Sequence, residues 1–164
     1  MSITTKTIAA IGLGFAMLMS TANAQDVKVG NITIHHPWIK QPIPGAVAAA
    51  YATIENTDKE DDTLLKVTVE GVAIAQIHDM KMQGDVMKMD ELKDGLAIPA
   101  GKTVELKPKS FHIMLINATT SFKAGQEVKG TFTFAKAGAV DINFEVEAGK
   151  PEMGGMKMNG MKMN

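Results

Sequence analysis

Leu65-Lys66-Val67-Thr68-Val69-Glu70 alternates apolar and polar side chains, Gly71 interrupts, and Val72-Ala73-Ile74-Ala75-Gln76-Ile77-His78 is a mostly apolar run. Alternation with a period of two turns one face of a strand inward and the other to water, whereas a short apolar run bounded by turn residues suits a more buried strand. The stretch therefore reads as two consecutive strands. Beyond residue 24, no window of eleven or more residues carries a convincing 3.6-residue period.

The same reading extends in both directions. Upstream, Val27-Lys28-Val29 and Ile32-Thr33-Ile34-His35 flank Gly30-Asn31 as a hairpin flanks its turn, and Pro37 confines His36-Pro37-Trp38-Ile39 to a strand start or an edge. Pro42 to Gly45 is a turn, and Val47 to Asn56 is a further strand. Asp58-Lys59-Glu60-Asp61-Asp62 reads as a solvated acidic loop, because it lacks the spacing and glycine of a calcium loop. Downstream, Gln83-Gly84-Asp85 turns the chain before Val86-Met87-Lys88-Met89, and Ile98-Pro99-Ala100-Gly101 breaks it ahead of Thr103 to Leu106. Strands follow at Phe111 to Ile116, Glu127 to Ala135 and Val140 to Glu147, with Phe132, Phe134 and Phe144 for the core. Eight to ten short strands at regular spacing predict an all-β sandwich or Greek-key barrel.

The ends differ from this middle. Lys6, an uncharged and mostly apolar run from Thr7 to Met19, and Ala22-Asn23-Ala24 have the layout of a secretory signal peptide, so residues 1–24 are expected to be cleaved and the protein exported. The segment is short and wrongly flanked for a membrane span. Residues 25–150 form one domain by length. Residues 151–164 end in two copies of Gly-Met-Lys-Met-Asn, which can neither hold a strand nor fill a core, and are expected to be a flexible methionine-rich tail.

Composition excludes several function classes. The chain has no cysteine and no arginine; once Lys6 leaves, 16 lysines face 18 acidic residues, a net charge of −2. Nucleic-acid binding and docking on anionic membranes need a basic face that is absent here. No Ser/His/Asp set, paired-carboxylate arrangement or phosphate loop presents itself, so the chain does not read as an enzyme.

What remains is a set of soft ligands between Ile77 and Met114. In a strand, residues i and i+2 share a face about 6.5–7 Å apart, so His112 and Met114 can aim at one point. Met87 and Met89 share a face likewise, as do Met80 and Met82 if that stretch is extended. Imidazole binds many metals, but neutral thioether sulfur selects Cu(I) over zinc, iron and the cations that prefer oxygen. Methionine also fills core gaps well, and any one residue here could do that. The combination of His78, ten residues, Met89, and then His112-x-Met114 in an exported chain without cysteine favours metal. A blue-copper electron carrier would need a Cys thiolate.

These residues resemble the periplasmic copper chaperones of the PCu(A)C family, whose signature is a His, ten residues, a Met, some twenty more, and His-x-Met; here 22 residues separate Met89 from His112. His36-Pro37-Trp38, Ala48-Ala49-Ala50-Tyr51, Gly84-Asp85-Val86-Met87-Lys88-Met89, Ile98-Pro99-Ala100-Gly101 and His112-Ile113-Met114-Leu115 are similar to that family's sequence as well. The resemblance implies a cupredoxin-like barrel holding one Cu(I) through His78, Met89, His112 and Met114. It also implies delivery of that copper to the CuA centre of cytochrome c oxidase or to another copper chaperone. The chain departs from the family at Asp90, where Arg is common, at Lys109-Ser110, where Gly-Gly is common, and at Ile39-Lys40, where Ala-Arg is common. These changes alter the charge around the site and bear on the acceptor.

Two other readings stay open from the residues themselves. One is a copper-buffering or resistance protein whose tail holds additional Cu(I) or Cu(II) without a dedicated recipient. The other is a β-sandwich interaction module whose methionines are packing. His35 and His36 point to opposite faces if extended and are poor co-ligands; surface or core roles are expected for them, with a secondary Cu(II) site as the alternative. Asp79 and Asp90 are expected to face solvent, the alternative being to orient an imidazole.

Overall fold

A computed structural model describes residues 26–43 and 46–149, and all of their regular structure is β. The expected signal peptide and tail lie outside these residues. Eleven strands form: β1 (Val27–Val29), β2 (Ile32–Lys40), β3 (Ala48–Asn56), β4 (Asp62–Val69), β5 (Val72–Gln83), β6 (Val86–Glu91), β7 (Leu96–Ile98), β8 (Thr103–Leu106), β9 (His112–Ala118), β10 (Glu127–Phe134) and β11 (Gly138–Glu147). The all-β expectation holds, with one strand more than the upper count.

The strands hydrogen-bond in the order β6-β5-β9-β3-β2-β11-β10-β4-β7, with β1 added to β2 and β8 to β3. All pairs are antiparallel except β11 on β2, where Glu145, Val146 and Glu147 run parallel to Trp38, Ile39 and Lys40. The sheet coils so that β4 comes against β5, enclosing Ile34, Ile54, Leu64, Ile98, Ile113, Phe132 and Phe144, none of which reaches solvent. Each such side chain contributes about 1.5–3 kcal/mol by burial. Gly130 permits the closest approach in this core. A Cβ there would meet the Phe144 ring and the Thr68 carbonyl oxygen, each at 2.6 Å.

Four local expectations are corrected. Pro37 is not at a strand start: it lies inside β2, one residue before the pairing with β11 begins, where the register with β3 shifts between His35 and Trp38 and His36 takes a φ of 44°. A bulge removes the need for the missing N–H. Leu65 is exposed while Leu64 is buried, because the β4–β10 register slips between Thr133 and Phe134 and moves the inward face by one residue. Val72 to His78 is not a buried strand, since Ala73 and Ile74 face solvent. Before His78, β5 pairs along one edge only, so this half is a sheet margin that apolar content alone does not bury.

Asp62, the last residue of the acidic loop, is buried and structural. Its carboxylate accepts the backbone N–H groups of Thr63, Lys136 and Ala137 at 2.7, 2.9 and 2.9 Å. Burial works against the charge, yet these hydrogen bonds and Lys136 hold the Asp62 pKa below the ordinary 3.8.

Candidate metal centre

The site is built where β5 changes partners. From Val72 to His78 it pairs with β9, and from His78 to Gln83 it pairs with β6, so His78 faces His112 on one side and Glu91 on the other. Residues directly opposite in an antiparallel ladder share a face. The register therefore gathers Gln76, His78, Met80 and Met82 of β5, Met87, Met89 and Glu91 of β6, and His112 and Met114 of β9 on one surface. Met114 stands opposite Gln76, Met80 opposite Met89, and Met82 opposite Met87. The stretch carrying Met80 and Met82 is extended, as their shared face requires.

All four candidate ligands thus share this surface, in three successive rows. His78 and His112 form the middle row, with ring centroids 5.7 Å apart. Met114 lies in the row toward the sheet interior, and Met89 in the row toward the β5–β6 turn. Tyr51, two residues beyond the Ala49 that pairs with Met114, and Trp38, its partner at a 4.5 Å ring separation, continue the surface across β3 and β2.

Each imidazole is oriented by the residue two positions before it. His112 Nδ1 donates to the Ser110 carbonyl oxygen at 2.9 Å, which leaves the lone pair on Nε2. His78 Nε2 lies 3.2 Å from the Gln76 Oε1 acceptor, so the proton sits on Nε2 and the lone pair on Nδ1. That Nδ1 is buried and has no hydrogen-bond partner. A buried acceptor without a donor costs about 1–3 kcal/mol, and a metal ion is one species that can take up its lone pair. Burial, followed by the nearby His112, pushes the His78 pKa below 6.5, so the ring is held in the neutral form that coordinates metals. Gln76 and Ser110 escaped the sequence reading; the common i−2 offset from each histidine is the signal that could have found them.

The surface suits a soft ion. Among the described residues no group of three or more His, Cys, Asp or Glu side chains is placed to hold a metal. The donors that share it are two imidazoles and several thioethers, a set that favours Cu(I). Asp79 and Asp90 lie on the opposite face, directly across from each other. Asp90 is exposed as expected, but Asp79 is buried and pairs with Lys81 Nζ, so it neither faces solvent nor orients an imidazole.

The other two histidines have carboxylate partners of their own. His35 sits between Asp26 at 3.0 Å and Glu55 at 3.3 Å. Partial burial disfavours its charge, but the hydrogen bonds to both carboxylates outweigh this and raise its pKa above 6.5. His36 bonds the Glu147 carboxylate and stacks on Trp38. The two rings have separate partners.

The chain has relatives in sequence and in fold. The LpqE-like family, described as candidate lipoproteins, matches residues 32–146. A candidate lipoprotein of Leifsonia xyli subsp. xyli, Lxx21020, is 29% identical over 133 residues, covering 79% of this chain and 80% of the relative. The copper-bound PCuAC domain from PmoF2 is similar in structure with a TM-score of 0.64 at 27% identity, over 76% of this chain and 98% of that domain. The apo PCuAC domain from PmoF1 gives 0.65 at 28% identity, over 76% and 99%.

Proposed function

This chain belongs to the LpqE-like family and has the cupredoxin-like fold of PCuAC domains, and from that premise we propose that it is a copper chaperone whose cargo is Cu(I). His78, Met89, His112 and Met114 are its ligands in this reading. The observation that carries it is the cross-strand histidine pair, with a buried, partnerless Nδ1 on His78 and thioethers in the rows on either side. Two imidazoles and two thioethers bind Cu(I) without releasing a thiol proton, and they survive where a thiol would be oxidised. Such a site can hold copper and still surrender it to a thiolate-bearing acceptor.

The recipient in this reading is the CuA centre of cytochrome c oxidase or another copper chaperone, and the place of work is the periplasm. Support for export comes from the signal-like layout of residues 1–24 and from the lipoprotein description of the family. We assign the protein a carrier role and no catalytic one.

A Cu(I) titration of the full chain against a competing chelator tests the proposal. One tight equivalent, lost in His78→Gln and in His112→Gln, is the expected result. Several weak equivalents of similar affinity would favour a buffer, and no binding would leave an interaction module.

A further inference from the structure

Met80, Met82 and Met87 are not needed by the His/Met site, and core packing does not account for the two nearest the turn. Methionine fills gaps between other side chains, yet Met82 is 63% exposed and Met87 48%. They sit on the two-stranded arm that β5 and β6 form beyond the first residue of β9, where every β6 residue is exposed. Lys81, Lys88 and Asp90 are exposed on the opposite face of this arm, while the two rungs nearest the turn on the methionine face carry thioethers alone. A solvated arm has no packing need for that division.

The register makes the thioether side a ladder. Met82 is directly opposite Met87, and Met80 directly opposite Met89. Opposed Cβ atoms lie roughly 4.5–5.5 Å apart and successive rungs about 6.5–7 Å, so flexible thioethers from adjacent rungs can meet at one ion. The Gly84-Asp85 turn, with Gly84 at a φ of 65°, fixes the pairing, so backbone ordering is already complete before an ion arrives.

We infer that Met80, Met82 and Met87 form a second binding site for a soft monovalent cation, Cu(I) or its redox-inert analogue Ag(I), across the first and second rungs outward from the histidine pair. Three neutral thioethers give this site less affinity than the mixed site. Met80 adjoins both His78 and Met89, so an ion held at the arm is within one rung of the deeper ligands.

The test is Ag(I) titration of the full chain carrying 13C-labelled methionine methyl groups, with each signal assigned by substitution. The expected result is that the Met82 and Met87 methyl signals shift after the first equivalent, and that Met82→Leu/Met87→Leu loses one bound equivalent and the late shift of Met80. Leucine matches methionine in volume at exposed positions, and an unchanged amide spectrum verifies the variant's fold. Met82 and Met87 signals that stay fixed through ten equivalents would overturn the inference. Movement at Met82 and Met87 with none at Met89 or Met114 would uphold it while removing methionine from the copper-chaperone ligand set.

Discussion

His78 and His112 stand directly opposite one another across β5 and β9, with ring planes tilted by 44° and centroids 5.7 Å apart. They donate away from each other, His78 to Gln76 and His112 to the Ser110 carbonyl. The lone pairs left over, on His78 Nδ1 and His112 Nε2, define where an ion would be received. Several consequences can be measured.

Met89→Leu and Met114→Leu should each keep the fold, since such swaps usually cost under about 1.5 kcal/mol. Cu(I) affinity should drop by at least about tenfold, equivalent to about 1.4 kcal/mol. Competition titration of each variant is the measurement, and parental affinity in both would remove methionine from the ligand set.

Cu(I) affinity should fall on acidification, with the contribution of His78 persisting to below pH 6.5. An imidazole must be neutral to bind, and burial with the neighbouring His112 keeps His78 neutral to lower pH than a free histidine. Titrations at half-unit intervals from about pH 7.5 to about 5 would show this. A profile with no decline would mean a site of thioethers alone.

Above pH 6.5 the metal-free protein should lose stability through His35. A raised folded-state pKa contributes stability that is complete below the unfolded value of 6.5 and disappears as pH climbs through the folded value. His78 acts in the opposite sense, removing stability as pH falls below 6.5. Urea unfolding midpoints should therefore decline on the alkaline side for the parent and less so for His35→Gln; equal slopes would contradict the assignment.

Asp62→Asn should destabilise the domain by on the order of 2–3 kcal/mol, because an amide cannot accept from all three backbone donors that the carboxylate serves. The parent should hold this contribution above pH 3.8 and lose it as pH drops through the depressed pKa of Asp62. Acid unfolding of parent and variant should converge at the low end, and divergence there would point to another group.

Removing residues 151–164 should leave one tight Cu(I) and reduce the number of weakly held ions. The segment contributes five methionines, Met153, Met156, Met158, Met161 and Met163, and no histidine. Stoichiometry measured on the shortened chain decides it, and loss of the tight ion would make the segment the principal ligand set.

Much of this architecture was legible because the chain obeys a period of two where both faces are unambiguous. Val128, Phe132 and Phe134 of β10 face inward just as their alternation with lysine and threonine requires. The rule fails at Leu65 and Pro37, where bulges shift the register, and a bulge depends on the partner strand rather than on the bulged sequence. The histidine and methionine spacing named a ligand set, but which residues oppose one another depends on β5 changing partners at His78. Nothing local to His78 announces that change. Burial of Asp62 likewise follows from a distant segment, the turn after β10.

The single parallel pairing, β11 on β2, governs where the chain departs from the sheet. Glu147 is in register with Lys40, Lys40 with Ala49, and Ala49 with Met114, so three interstrand steps of about 4.8 Å separate the exit from the ligand row. The fifteen residues from Lys150 to Asn164 have a contour of at most about 50 Å. Glu147 lies about 15 Å from Met114 by these steps, so the length of sequence that follows β11 exceeds its distance to the ligand row; shortening that sequence residue by residue while titrating Cu(I) tests whether its methionines serve the same surface.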